Sequence, residues 1–537
     1  MPISPSHMTG KCRTPVTKLP LRSAAFLRDE AGGLLVWSLY IMVGILMAVG
    51  LGIDTMRTET YRTHLQNTLD RAVLAAADLE QELPPADVVA DYFERAGIPA
   101  DAVNLDPFVS DNERVIGATI NANVGTVLLD IIGRPTLPAI ANGQAREAIN
   151  DIEISLVLDN SGSMGWSNDR RLNLLKPAAK DFVDAVMRPG PQGEMTVSMS
   201  IVPFSTQVNA GPTLASALSY SAEHSYSHCA EFPDNSYTSV AMDPETELRR
   251  GGHFDIFTWN APVESNGVVC PFDTSRHILP FSQDADALKA QIDGMWAGGN
   301  TSIDIAAKWG AALLDPAFRP VVDQLILEEK IAGGVAGRPF DYGRSKTMKV
   351  LVVMSDGQNT QEFQLRNPYR SGSSPVWQDE DTKIVSYFDE DRGEYFVFDD
   401  ADLSSQPGGT WQPEPEGDAV SNLDWPEVWN KWSVAVFARD IKAEAVGGSW
   451  NSHYDAVYRA TDAGDKNDRA SEICAAARDA NILVFAIGMD TYGQGDATLE
   501  DCAGGEKSLN FFDVSAQDID VAFASIATQI NMLRLTQ

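Results

Sequence analysis

Cationic side chains are scarce in this chain. It has 41 Lys and Arg against 75 Asp and Glu, a formal net charge of −34. Nucleic-acid binding wants clustered cations, so that class is excluded. Docking of the bulk of the protein on anionic lipid is excluded for the same reason. Cysteine is sparse as well, and 5 residues in 537 cannot staple a disulfide scaffold. Several motifs are missing. Without a G-x-x-x-x-G-K-[ST] stretch the chain does not power work by nucleotide hydrolysis. Without G-x-S-x-G there is no nucleophile elbow, and no His stands in a recognisable base context. Without D-x-D-x-D-G there is no EF-hand. Metal-assisted hydrolysis would want more carboxylates or His than any one stretch offers. The chain therefore reads as a binding protein and not an enzyme.

One apolar run stands out. Ala31 to Ile53 carries no charge and, at about 1.5 Å per residue, is long enough to span a bilayer as a helix. Lys11, Arg13, Lys18, Arg22 and Arg28 precede it, and Asp54 and Arg57 end it. The positive-inside rule puts residues 1–30 in the cytoplasm and the rest outside. The run is longer than a signal-peptide core and no small-x-small site follows it, so it reads as a membrane anchor.

The flanks carry a pattern of their own. Asp54-Thr55-Met56-Arg57 follows the span, then Leu65-Gln66-Asn67-Thr68-Leu69-Asp70-Arg71-Ala72-Val73-Leu74-Ala75-Ala76-Ala77. With Phe26 to Gly32 before it, this stretch resembles the N-terminus of TadE/TadG-like proteins of the tight-adherence (Tad, or Flp) pilus machinery. The pseudopilin branch of that family has a Glu five residues after its cleavage Gly. Counted from Gly32, that position is Trp37. The resemblance is therefore to the longer, TadG-like branch, and it implies a bacterial inner-membrane protein with its bulk in the periplasm.

Thr55 to Leu79 reads as a helix continuing the span, with Leu65, Leu69, Ala72 and Ala76 on one stripe. Pro84-Pro85 breaks it, and Ala86 to Ala96 is a second short helix. Val115 to Val124 alternates as a half-buried strand does, and Thr126 to Ile132 and Ala145 to Ile149 are further strand candidates. Residues 54–150 thus form a small α+β stalk domain resembling a pilin head.

The stretch that organises the rest is Asp159-Asn160-Ser161-Gly162-Ser163-Met164. It ends the apolar run Ile152 to Leu158, a buried parallel strand, and precedes a helical pattern from Leu172 to Val186. A carboxylate and two hydroxyls are thus delivered at a strand's C-terminal tip, where open α/β sheets bind ligands. Gly298-Gly299-Asn300-Thr301-Ser302 opens another helix, and the strand Lys349 to Met354 runs into Ser355-Asp356-Gly357. Hard oxygens in this set suit Mg²⁺ better than Zn²⁺. The order D-x-S-G-S, G-G-x-T, S-D-G resembles the von Willebrand factor A domain and its metal-ion-dependent adhesion site. The resemblance implies a Rossmann-like α/β domain over 151–537. It also implies metal residues Asp159, Ser161, Ser163, Thr301 and Asp356, with Ser302 as substitute for Thr301. Mg²⁺, or another divalent cation such as Mn²⁺ or Ca²⁺, would leave a position for a carboxylate from a partner protein, another pilus assembly component.

Insertions fall near 211–280, 316–346 and 360–465. The last interleaves acidic runs with aromatics such as Trp377, Phe396, Trp411 and Trp425, and its aromatics read as anchors of the insertion. Cys229–Cys270 and Cys474–Cys502 are the disulfide pairs suggested by chain order in an oxidising compartment, while Cys12 is cytoplasmic. The rival is a zinc site from His224, His228, Cys229, Cys270 and His277, although C-x₂-C pairs are missing. The alternative function is structural: a minor-pilin-like scaffold assembling through Leu65 to Ala77, with a metal-free A domain.

Overall fold

The computed structural model describes residues 31–536 apart from 79–80, 82, 100–101, 111–112, 149–150, 189–195, 260–266, 345–346, 404–407, 492–495 and 506–507. The basic segment 1–30, with Cys12 and the start of the Tad-like pattern, lies outside the described residues. The chain divides into two compact units, Met1–Glu147 and Ala148–Gln537.

In the first unit one helix, α1 (Ala31–Ala77), runs unbroken for 47 residues. It is long and apolar enough to cross a membrane, and residues 33–49 are exposed along its first half. Its second half is a core element. Leu65, Leu69, Ala72 and Ala76 are fully buried. They pack with Val88, Val89 and Phe93 of α2 (Pro85–Arg95) and with Ile116, Ile120, Ala139 and Ala141 of an antiparallel sheet. That sheet runs β1 (Val103–Ser110), β2 (Glu113–Gly125), β3 (Thr136–Ala148) in order. The small side chains let helix and sheet approach closely. One stripe of the Leu65 to Ala77 segment is thus covered by its own unit, while Leu74 on the opposite side is exposed.

Two strand expectations change. β1 was hidden by Pro107, which an edge strand tolerates. Thr126 to Ile132 is a loop with a 3₁₀ turn at Asp130–Ile132, not a strand. The Asp54 carboxylate on α1 takes the N–H groups of Val127, Leu128 and Leu129 at 2.8–2.9 Å, the donors a strand would have spent on a neighbour.

The second unit is built on a six-stranded sheet. Its strands are β4 (Asp151–Asp159), β5 (Val197–Phe204), β6 (Leu279–Ser282), β7 (Thr347–Ser355), β8 (Leu483–Met489) and β9 (Phe511–Val514). The spatial order is β9-β8-β7-β4-β5-β6, parallel except for the β6 edge. Continuous apolar runs make the central strands, because both faces are covered. On one face lie α3 (Trp166–Val186), α4 (Ala285–Gly294) and α7 (Ile519–Thr536). On the other lie α5 (Ile303–Ala312) and α6 (Ala463–Asp479). This is the doubly wound α/β sheet expected of an A domain. The chain leaves β4 toward β5 and later returns on the far side to β7. The order reverses between β4 and β7, which opens a crevice at their C-terminal ends.

The insertions share a core. Residues 373–424 form a five-stranded antiparallel sheet that includes the expected hairpin, Val385–Asp389 with Glu394–Phe398. Trp425, Trp429 and Phe437 pack beneath it, with Phe254, Ile256 and Val269 from the 211–280 insertion. Both disulfides are formed, Cys229–Cys270 and Cys474–Cys502. The first spends both sulfurs of the rival zinc set. Its histidines have other partners: His224 Nε2 contacts Gly251 O at 2.9 Å, and His228 Nδ1 lies 2.8 Å from an Arg250 guanidinium nitrogen.

Burial lowers His224 and His228 to about 4 and His253 to about 3. In the unfolded chain they return to about 6.5. Folded values below unfolded ones mean that the unfolded state binds protons first as pH falls. The stability held by the neutral rings is therefore complete above pH 6.5 and lost on descent toward 4. Protection factors for hydrogen exchange across 211–280, with the intrinsic pH dependence of amide exchange divided out, should fall in that window, and His253→Phe should blunt the effect. Protection factors that stay flat from pH 7 to 4 would contradict this account.

Candidate metal centre

β4 and β7 place their terminal carboxylates side by side at the crevice. Asp159 is fully buried. Its Oδ1 accepts the Ser161 N–H at 2.7 Å and its Oδ2 accepts the Ser355 hydroxyl at 2.6 Å. Ser161 Oγ and Ser163 Oγ are 3.0 Å apart, and Ser163 Oγ donates to Asp356 Oδ1 at 2.7 Å. A chain of hydrogen bonds, through the Ser161 N–H and then the hydroxyls of Ser161 and Ser163, thus joins Asp159 to Asp356. Burial, and next the charge of Asp356, pushes the Asp159 carboxyl up to about 7. Burial also raises Asp356, against the pull of Ser163 and Arg171.

The Thr301 loop is stitched to both others. Gly162 N–H donates to Gly299 O at 2.9 Å and Gly298 N–H to Asn160 O at 3.0 Å. A Cβ at Gly162 would come within 3.1 Å of Gly299 O, so a larger residue there would push the two loops apart by a few tenths of an ångström. Thr301 N–H donates to Thr360 Oγ1 at 2.8 Å, and Thr360 N–H returns to Thr301 O at 3.0 Å. Thr301 itself is buried at this seam. Ser302 is not a substitute ligand. Its hydroxyl donates to Thr206 O at 2.8 Å and accepts from Lys466 Nζ at 2.6 Å, so both functions are spent on the scaffold.

Three cations at the site escaped the sequence reading. Arg171 on α3 donates to Asp356 Oδ2 at 2.5 Å and lies 3.5 Å from Asp490 Oδ2. Arg276, buried against Trp296, donates to Asn160 O, Gly298 O and Trp296 O, and burial lowers it to about 10. Lys466 on α6, fully buried, donates to Thr301 O, Ser302 Oγ and Thr360 O at 2.6–2.8 Å and faces Asp304 at 3.9 Å. Desolvation lowers Lys466, and Asp304 is raised to about 6 by its own burial. No spacing rule marks such residues, because their partners are carbonyls of loops far away in sequence.

Among the described residues no group of three or more His, Cys, Asp or Glu is placed to hold a metal. The set here is two carboxylates with hydroxyls, all hard oxygens, the chemistry of Mg²⁺-type cations. Two buried carboxylates, both raised by burial, fit a site lacking positive charge, and Arg171 supplies part of it.

Residues 32–79 match the Tad family model, described as "Putative Flp pilus-assembly TadE/G-like". No curated protein matches the chain. Among solved structures, the von Willebrand factor domain of the type V pili tip protein Mfa5 from Porphyromonas gingivalis is 13% identical. That likeness covers 73% of this chain and 98% of the other, at a TM-score of 0.33. The pilus adhesin SpaC from Lactobacillus rhamnosus GG is 12% identical over 80% of this chain and 34% of its own, at a TM-score of 0.30. Proximal thread matrix protein 1 from the mussel byssus, with a zinc-occupied MIDAS motif, is 12% identical over 71% of this chain and 47% of its own, at 0.25. The chain thus spans between a third and half of the last two. The sheet order and loop bonds stand independently of these likenesses.

Lys466→Met would strip the seam of its strut, leave the Thr301 and Thr360 carbonyls without their shared donor, and leave Asp304 with Arg469 at 3.5 Å as its remaining cation. Breaking such a buried pair costs roughly 3–5 kcal/mol, to be read as a lower urea midpoint. A loss under about 1 kcal/mol, the scale of an exposed pair, would show that the loops hold without it.

Proposed function

We propose that this chain is a membrane-anchored, divalent-metal-dependent protein-binding component of Tad/Flp-type pilus assembly. The observation that carries the reading is the hydrogen-bonded set Asp159, Ser161, Ser163 and Asp356, two carboxylates and two hydroxyls gathered at the crevice of a doubly wound sheet. The Tad-type segment at 32–79 supports the link to pilus assembly, and the apolar first half of α1 supports a single-pass anchor. In this reading residues 1–30 are cytoplasmic, 31–53 cross the inner membrane, and the bulk is periplasmic.

Asp159, Ser161, Ser163, Thr301 and Asp356 would hold the cation, directly or through water. When bound, it supplies positive charge and a coordination position for a carboxylate from a partner, another pilus component. The chain's own residues do the rest. Ser355 and the Ser161 N–H orient Asp159. Arg171 orients Asp356 and shares its charge. Gly162 and Gly299 let the two loops close to hydrogen-bond distance. The serine hydroxyls bond each other and a carboxylate, which is the arrangement of ligands around a point and not of a nucleophile beside its base. The role is therefore binding without catalysis.

Calorimetry of Mg²⁺ binding to the full chain in detergent, beside Asp159→Ala, tests this. Saturable binding in the parent and none in the variant, with the melting transition retained, is the expected result. Equal Mg²⁺ binding by both proteins would remove Asp159 from the site and the proposal with it.

A further inference from the structure

The loop between β2 and β3 is built for an apolar solvent. Val127, Ile131 and Ile132 are 58%, 77% and 56% exposed. Such side chains at a hairpin tip are costly in water. The loop also lies against a particular part of the first unit. Leu128 sits on Gly50 of α1, where a Cβ would come within 2.7 Å of it. Val43, Leu46, Met47 and Leu51 of α1 form one apolar groove with the loop's Leu128, Leu129 and Ile131. These helix positions belong to the uncharged run that ends at Asp54. Val43 lies about 16 Å below Asp54 along the helix axis, roughly half the thickness of a bilayer's hydrocarbon core.

Most of the loop's backbone N–H groups are satisfied from within. Asp54 takes three consecutive N–H groups, of Val127, Leu128 and Leu129. Ile132 and Arg134 N–H donate to Leu129 O, Gly133 N–H to Asp130 O, and Thr126 N–H to Pro135 O. The Thr126 hydroxyl donates to Arg134 O. Non-helical backbone survives near lipid only when its polar groups are paired in this way. Asp130 and Arg134 stay exposed and set a limit on depth, with the Arg134 stem able to reach outward to headgroups.

We infer that the loop Val127–Ile132 is a second membrane contact, dipping beside α1 into the leaflet that borders Asp54. Its occupant is the lipid of that leaflet, because the groove is continuous with the span. The contact would fix the tilt and rotation of α1 by a second point, which a lone helix lacks. Asp54 would then serve the loop by closing its backbone.

This inference rests on the reading of α1 as an anchor, and the test separates the two. The full chain with Cys12→Ser, its other cysteines being in disulfides, is given one new cysteine: Ile131→Cys, Leu46→Cys or Glu94→Cys. Each protein is labelled with a polarity-sensitive fluorophore and reconstituted in phosphatidylcholine–phosphatidylglycerol vesicles, with or without lipids brominated on the acyl chain. Position 131 is exposed and tolerates a label. The expected result is strong quenching at 46, quenching at 131 at least half as large, and none at 94. Quenching at 46 with 131 behaving like 94 would leave the anchor standing and overturn the inference. No quenching at 46 would overturn both.

Discussion

Two carboxylates, Asp159 and Asp356, are buried at the tips of neighbouring parallel strands, and the burial of so much acid at one point is the constraint that the surrounding loops answer. A doubly wound sheet brings the C-terminal ends of β4 and β7 together because the chain order reverses there. Charge at that crevice has to be answered by something. The protein answers it locally with hydroxyls from Ser161, Ser163 and Ser355 and a guanidinium from Arg171. Water is excluded by the surrounding loops, so these contacts are stronger than they would be at the surface, and an unpaired charge would cost more. That balance leaves both carboxylates partnered within the crevice.

The loops that bear the oxygens are held by cations of a different kind. Arg276 comes from the 211–280 insertion and Lys466 from α6, just past the 360–465 insertion, and each ties carbonyls of separate loops. Burial disfavours both charges, and each is compensated by several acceptors at once. Such residues work as bolts. Their placement means that the site is shaped by chain lying outside the motif itself.

Much of this architecture was legible because it follows from periodicity. Fully buried strands read as unbroken apolar runs, and a carboxylate at the end of each gave Asp159 and Asp356. The helix from Thr55 was legible from its Ala-rich stripe, and the disulfides from chain order. What was not legible has physical reasons. Pro107 masked an edge strand. Val127 to Ile132 has strand-like composition, but its donors go to Asp54, seventy residues earlier. Ser302 sits beside Thr301 in sequence, yet its hydroxyl faces Lys466 and Thr206 O instead of the crevice. Arg171, Arg276 and Lys466 carry a residue type that is usually solvated, so only tertiary packing reveals their burial.

The two large insertions are better understood as one body than as two loops. One leaves the sheet after β5 and the other after β7, both at the edge where the carboxylates lie. Phe254, Ile256 and Val269 of the first join the tryptophans of the second in a single apolar cluster. The join is also polar: Val434 N–H donates to Asp255 O, the Tyr454 hydroxyl to Ile256 O, and Arg370 pairs with buried Glu231 at 2.7 Å. Ordering so long a chain carries an entropic cost that the shared apolar cluster helps to offset, and the Cys229–Cys270 bond closes the first insertion upon itself. A surface beside the crevice is therefore presented already ordered, which lowers the entropic cost of binding whatever docks there. The shared body thus grows from the same sheet edge that carries Asp159 and Asp356.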